Sequence, residues 1–216
     1  MKNIFIGIFI LVILASCATV STQTPQLSST PTPNPSLSPS PQSLGIENCP
    51  PTPFIVPALP EKIPGWNELD ESIGLHITGH YQVIDPLTYQ LKISGKVNKP
   101  LELTYEQIRC LPKVTAKPRL VCTGVFVDEA TWTGVSLMTI LDLAGVQADA
   151  NALVLTSVDG FQTEVNLKDA LQQDSFLAYE VNAQILPILH GFPIRAVFPD
   201  MPGAKWIKWL VEIQVK

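Results

Sequence analysis

An α+β domain, with mixed β-sheets and short helices, is the fold class that this sequence predicts. Three observations predict it. Short β-rich runs dominate the chain after residue 63, and only two or three stretches between them have helical spacing. The segment 63–216, about 150 residues, is long enough to bury one good core. The residues before it have the composition of a processing signal and a tether, not of a folded unit.

Ile63-Pro64-Gly65-Trp66 opens the domain. Tyr89 to Val97 alternates apolar and polar residues, as a half-buried strand does. Pro100-Leu101-Glu102-Leu103 continues as a second strand. Thr104 can then cap a short helix, Tyr105 to Arg109, with Gln107 at the capping-box position. Arg119 to Thr123 is a short apolar strand carrying Cys122 at its end. Asp128 and Glu129, which follow Cys122, read first as part of a solvated loop; they lie near the mouth of a site at Cys122 if that loop folds back. Ser136 to Ala144 has apolar residues at Leu137, Ile140, Leu141 and Ala144, which is helical spacing, and Gly145 stops it. Leu153 to Ser157 is a β-rich run, Asp159-Gly160 a turn, and Phe161 to Val165 the returning strand of a hairpin. Leu167 to Leu171 reads as a short helix. Leu177 to Glu180 is a strand followed by an Asn182-Ala183 turn, and Ile194 to Phe198 and Trp209 to Val215 are the last strands. Trp132, Trp206 and Trp209 are expected in the core.

Composition narrows the function. The net charge of −5 gives no basic face for nucleic acid. The four cysteines contain no CxxC pair, and His76, His80 and His190 contain no HExxH, so zinc-ribbon, thioredoxin-like and zincin readings are excluded.

The start of the chain points to the cell envelope. Lys2 precedes an apolar run, Ile4 to Ile13, too short to span a bilayer, which needs ~20 residues. The run ends in Leu14-Ala15-Ser16-Cys17, the pattern of a lipoprotein signal, so residues 1–17 are expected to be processed with a lipid on Cys17. An ordinary signal peptide or a membrane anchor is the alternative. Residues 18–62 are rich in Pro, Ser and Thr. Twelve of the chain's 20 prolines lie between Pro25 and Pro64, and Glu47 is the one charge from 18 to 60. Such a segment is a disordered or extended tether, or else a protein-binding proline tract. The expected location is lipid-anchored, facing the periplasm or the exterior.

Cys122 is the candidate for chemistry. A thiolate is a soft metal ligand and a nucleophile, whereas a buried thiol is only a small hydrophobe. Cys49 and Cys110 can pair in an oxidising compartment, which would leave Cys122 as the odd thiol; the pairing stays open because Cys49 sits in the tether.

The residues from about 73 to 216 resemble the molybdopterin-binding oxidoreductase domain of the sulfite oxidase family. In size they are closest to the single-domain bacterial branch that includes the catalytic subunit of the periplasmic methionine-sulfoxide reductase. Four blocks carry the resemblance: Ile77-Thr78-Gly79-His80 with Asp85-Pro86 and Leu91-Lys92-Ile93-Ser94-Gly95; Leu120-Val121-Cys122 with Trp132-Thr133-Gly134-Val135; Ser157-Val158-Asp159-Gly160 with Leu177 to Asn182; and His190-Gly191-Phe192-Pro193-Ile194-Arg195 with Pro199, Gly203-Ala204-Lys205 and Lys208-Trp209.

The resemblance implies a sulfite-oxidase-type fold and a molybdenum atom held by a pterin dithiolene and by Cys122. It implies that Arg195, Gly203, Ala204 and Lys205 hold the pterin and its phosphate. His190 matches a position that is asparagine in the reductase branch and histidine in the oxidases. Ser157 matches a threonine contact of the reductases, and His80, with Tyr81 beside it, a histidine of the oxidases. Structural alternatives stand beside these roles: a snorkelling surface arginine for Arg195, a hydrogen-bonded turn residue for His190. The implied activity is oxygen-atom transfer on a small substrate, with electrons passing through a separate partner, in a monomer without the family's dimerisation or haem domains.

Two departures matter. Sulfite oxidases place an Asn-Arg pair just after the cysteine, where this chain has Gly124-Val125-Phe126, so sulfite is not the expected substrate. The start, Met1-Lys2-Asn3, has no twin arginine for export of a folded, loaded protein. The alternative function is therefore a cofactor-free, surface-tethered binding domain of the same fold.

Overall fold

The computed structural model describes residues 46, 49–50, 52–172 and 174–216. The expected signal peptide with Cys17, and most of the tether, lie outside the described residues. The elements run β1 (Leu69–Asp70), β2 (Leu75–His76), β3 (Gln90–Gly95), β4 (Leu101–Thr104), α1 (Tyr105–Cys110), β5 (Lys113–Ala116), β6 (Arg119–Cys122), β7 (Phe126–Glu129) and β8 (Trp132–Ser136). Then follow α2 (Leu137–Ala144), β9 (Ala152–Ser157), β10 (Gln162–Asn166), α3 (Leu167–Gln172), β11 (Phe176–Val181), β12 (Gln184–Ile185), β13 (Arg195–Val197) and β14 (Leu210–Val215). Short strands with three short helices make the expected α+β domain.

One five-stranded sheet has the order β10-β9-β14-β3-β4. It is mixed: β14 pairs parallel with β3 and antiparallel with β9. Alternation decides its faces, because successive strand residues point to opposite sides. Leu91, Ile93, Leu153, Leu155, Ile213 and Val215 are buried on one side. The other five-stranded sheet runs β12-β11-β8-β5, with β13 also pairing β11. Its strand β11 is buried at five of six positions and lies between neighbours on both edges. Gly134 of β8 permits that approach, since a Cβ there would sit 1.9 Å from the Leu177 carbonyl oxygen. Two hairpins, β1-β2 and β6-β7, stand outside both sheets.

Local signals match these elements. Both arms of the capping box form at α1: Gln107 N–H donates to Thr104 Oγ1 at 3.2 Å, and Thr104 N–H to Gln107 Oε1 at 2.9 Å. α2 buries Leu137, Ile140, Leu141 and Ala144 and ends at Gly145, whose φ of 66° suits a residue without Cβ. The strands β5, β7 and β8 were not expected. The main correction is at residues 126–129, which form β7 rather than a solvated loop, and Asp128 is buried.

The expected tether also meets the domain. Cys49 and Cys110 form a disulfide. Arg109 donates to the Thr52 carbonyl oxygen at 3.0 Å and lies over the Phe54 ring, which itself packs edge-on against Tyr105. Phe54 and Leu59 pack against the core, so ordered chain precedes Ile63.

Candidate active site

Cys122 sits where β6 turns into β7. Cys122 pairs with Phe126 and Leu120 with Asp128 across the hairpin. Directly paired residues share a face, so Leu120, Cys122, Phe126 and Asp128 all face one way. The three-residue connection closes through Val125 N–H to the Cys122 carbonyl oxygen at 2.9 Å, with Gly124 at φ 75°. Cys122 is a free, half-buried thiol. It lines a cavity of ≈ 200 Å³ together with His76, His190, Arg195, Gly203 and Lys208. A second cavity, of ≈ 260 Å³, shares Thr78, Gly203, Ala204, Trp206 and Lys208 with it and adds Ser157 and Trp209. A chain of recessed space thus runs from Cys122 past the Gly203 turn to Ser157.

The β1-β2 hairpin frames this space with two imidazole–carboxylate contacts. His76 Nδ1 lies 2.7 Å from Asp128 Oδ1, and the His76 backbone N–H donates to Asp128 Oδ2 at 2.8 Å. The His76 ring stacks on Phe126 with centroids 4.4 Å apart. Asp70 Oδ2 lies 3.0 Å from His190 Nε2. Burial pushes His190 down to about 4, against the opposing pull of Asp70. The His190–Asp70 contact is therefore a neutral N–H donating to a carboxylate at pH 7. Burial raises the Asp70 carboxyl, but hydrogen bonds from Ser72 and His190 outweigh it and hold it below the usual carboxylate range.

Two cations line the space without a carboxylate partner. Arg195 is 4% exposed; its two terminal nitrogens donate to the carbonyl oxygens of His190 at 3.2 Å and Trp206 at 3.1 Å, and its plane lies 4.7 Å from the Trp132 ring centroid. Its Nε–H has no partner. Burial lowers Arg195 to about 9, with Asp128 opposing. Lys208 donates to the Thr78 and Leu189 carbonyl oxygens and lies over Trp209. Burial, then the Arg195 charge, lowers it to about 7. Among the described residues, neither forms an ion pair. A buried cation without a counter-charge is costly, and an anion in the cavity removes that cost. Gly191, at φ 113°, makes the turn possible: a Cβ there would press to 3.1 Å on both Arg195 and Lys208.

Of the residues expected in the site, Cys122, His190, Arg195, Gly203 and Ala204 come together, and Ser157 lines the adjoining cavity. Lys205 does not join them. Its ammonium donates to the Glu164 carbonyl oxygen at 2.7 Å, and Lys208 stands where a cation was expected. His80 and Tyr81 are exposed and line a separate groove with Ile63, Pro64 and Trp66. Trp206 and Trp209 are core residues whose edges also wall the cavities. His76 and Lys208 were not expected in the site, and Asp128 was expected near it only as the alternative to a solvated loop. A hairpin read about Thr123-Gly124-Val125 would have put Asp128 on the face of Cys122.

The residues fit a phosphorylated pterin. Among the described residues seven buried side-chain polar atoms lack partners, and two of them, Arg195 Nε and Ser157 Oγ, belong to residues that line these cavities, where a ligand can take them. Gly203 approaches β6 so closely that a Cβ would meet the Val121 carbonyl oxygen at 3.2 Å, which keeps its backbone open to a ligand on the cavity side. Among the described residues, no group of three or more His, Cys, Asp and Glu side chains is placed to hold a metal by itself.

Comparison with known proteins agrees. Residues 78–216 match the oxidoreductase molybdopterin-binding domain. The chain is 32% identical over 155 residues to the uncharacterized oxidoreductase YuiH of Bacillus subtilis, covering 71% of this chain and 78% of that protein. It is 28% identical to sulfite oxidase of Arabidopsis thaliana over 63% of this chain and 44% of that one. It is also 28% identical to a putative protein-methionine-sulfoxide reductase subunit, YedZ1, of Azospira oryzae, over 59% and 48%. The chain thus spans under half of these last two relatives. The sulfane dehydrogenase SoxCD of Paracoccus pantotrophus shares the fold, with a TM-score of 0.59 and 24% identity over 62% of this chain and 40% of that one. The sulfite-oxidase-type fold, the free thiol and the two cations lining its cavity have one common account: the chain belongs to the oxidoreductase molybdopterin-binding domain family and is a molybdopterin-dependent oxidoreductase.

Proposed function

We propose that this chain is a lipid-anchored, extracytoplasmic oxidoreductase that exchanges an oxygen atom between water and a small substrate, passing two electrons to or from a separate partner. The observation that carries this reading is the pair Arg195, buried, and Lys208, half-buried, which line the cavity of Cys122 and form no ion pair among the described residues. When bound, the cofactor's molybdenum supplies the two-electron, oxygen-atom chemistry. The protein's residues orient it and shield it. Cys122 offers the protein thiolate. Arg195 and Lys208 neutralise the cofactor's phosphate, and the Arg195 Nε–H and Ser157 Oγ, which lack partners, satisfy its polar groups. The Gly203-Ala204 turn approaches it with backbone. His190, kept neutral by burial and with its Nε2–H held by Asp70, leaves Nδ1 to accept a hydrogen bond without adding a third charge.

The substrate is small and uncharged in this reading. Leu75, Leu120, Phe126 and Trp206 supply apolar wall beside Cys122, and the two cations are committed to the cofactor. The Cys49–Cys110 disulfide supports an oxidising, extracytoplasmic location. Among the described residues, no helix is long and apolar enough to cross a membrane, and the anchor rests on Cys17. A cofactor-free binding module would leave Arg195 and Lys208 buried without an anion, which disfavours it.

Elemental and pterin analysis of protein purified from a molybdenum-replete native host tests the reading. About one molybdenum and one pterin per chain are expected, with Cys122→Ser losing all turnover. Absence of molybdenum while the host's other molybdoenzymes are loaded overturns it. So does full activity of Cys122→Ser.

A further inference from the structure

His76 lines the cavity of Cys122 and has no part in the cofactor-holding roles proposed above. Its imidazole is held by three contacts: the Asp128 carboxylate at Nδ1, the same carboxylate at its own backbone N–H, and the face of Phe126. Asp128 is 4% exposed, and His76 is its hydrogen-bond partner through both oxygens. A carboxylate accepts, so Nδ1 carries the hydrogen and the neutral ring leaves Nε2 as a lone pair. Nε2 makes no hydrogen bond among the described residues. The ring is partly exposed and lines the cavity of Cys122, and Phe126, on which it stacks, pairs directly with Cys122 in the hairpin. Arg195 and Lys208 spend their donors on backbone carbonyls and the cofactor side, and His190 spends Nε2 on Asp70. His190 Nδ1 also makes no hydrogen bond among the described residues, but that side chain is 2% exposed whereas His76 is 27% exposed, so His76 Nε2 is the solvent-reachable imidazole nitrogen of the cavity that holds the thiol.

We propose that His76 is the proton-transfer residue of this oxidoreductase and that Asp128 is its positioning residue. The inference rests on the oxygen-atom-transfer reading above. The half-reaction is XO + 2 H⁺ + 2 e⁻ ⇌ X + H₂O, with electrons from an external one-electron carrier, a reduced viologen dye in the assay. In the reductive direction the Nε2–H bond of the imidazolium breaks, and an O–H bond forms on the oxygen that departs as water. The second proton comes from solvent, which also reprotonates Nε2. In the oxidative direction Nε2 takes that proton back from water. Asp128 stabilises the imidazolium and fixes the tautomer. Such a group contributes typically 10²–10⁴-fold.

The test pairs His76→Gln with Asp128→Asn in the loaded holoenzyme, after molybdenum and pterin are measured in each. The substrate is whichever of trimethylamine N-oxide and dimethyl sulfoxide, both without net charge and both oxygen donors, the wild type reduces faster with the dye. His76→Gln is expected to keep its molybdenum, hold KM within about 3-fold and lose roughly 100-fold or more in kcat. In a His76→Gly variant, added imidazole should restore at least tenfold of the lost rate. Asp128→Asn is expected to lose less, about tenfold. In metal-free protein, ¹⁵N NMR should show His76 protonated at Nδ1 in the wild type and not in Asp128→Asn. A His76→Gln enzyme with wild-type kcat overturns the proposal. So does a His76→Gln protein that has lost its molybdenum, or a wild-type His76 protonated at Nε2 when neutral. A wild type without molybdenum counts instead against the functional reading, and the NMR result still judges the tautomer.

Discussion

The sheet around β14 and the wall around Cys122 bury their residues on opposite plans. In the sheet, alternation sends Leu91, Ile93, Leu155 and Ile213 inward, each 0% exposed, and leaves Lys92 and Glu212 to pair at the surface. On the wall, Asp128, His190 and Arg195 are taken out of water and Lys208 is half-buried, and the two cations meet backbone carbonyls instead of carboxylates. The sheet is stable by itself, since each buried aliphatic side chain contributes ~1.5–3 kcal/mol. The wall gains its full stability only with an anion in it. The fold thus separates a scaffold that is complete from a site that is not.

Breaking the scaffold gives the largest effect. Ile213, on the central strand between β3 and β9, is fully buried. Ile213→Ala is expected to lower unfolding stability by roughly 2–5 kcal/mol in chemical denaturation. Molybdenum per folded chain should not change, because Ile213 lines neither cavity.

A pH titration of the metal-free protein probes the wall. His190 is about 4 in the fold and about 6.5 unfolded, so the fold favours its neutral form. The unfolded chain binds a proton between those values that the native state refuses. Stability is full above about pH 6.5 and falls by roughly 3 kcal/mol as the pH drops to about 4. Asp70, held low, adds its own loss only further into acid, below its ordinary 3.8. His190→Asn should flatten the slope between pH 6.5 and 4, measured by denaturant midpoints at fixed ionic strength.

The same contrast explains what could be read from the chain. The β3 alternation, the α2 spacing, the Asp159-Gly160 hairpin and the Thr104/Gln107 box are local patterns, and each is formed. β5 and β7 are four-residue strands, half-exposed at the edges, whose pairing rather than composition makes them strands. Asp128 is charged and reads as surface; only its register opposite Leu120 buries it. Lys205 and Lys208 lie three residues apart around a tight turn and an extended stretch, where no periodicity tells which one points inward. Cys122 and Arg195 were legible as residue types whose chemistry is unusual wherever they sit. His76 was not, because its value lies in a carboxylate 52 residues away.

Arg195→Met sharpens the comparison most, although its effect on folding is the smallest. Methionine keeps much of the apolar stem that packs on Trp132 and removes a buried charge that has no ion pair among the described residues and only the more distant Asp128 to offset it. Two hydrogen bonds to the His190 and Trp206 carbonyls are lost. The desolvation recovered offsets them, so metal-free stability should stay within about 1 kcal/mol of wild type. The loaded protein should behave differently. A charge-assisted hydrogen bond is worth ~1.5–3 kcal/mol, so pterin retention should fall at least about tenfold, read as pterin remaining after dialysis. A variant that unfolds when metal-free would place Arg195 in the scaffold. A variant that keeps its pterin would remove it from the wall. The expected split, a folded chain that cannot hold its cofactor, follows from a guanidinium whose Nε–H has no protein partner.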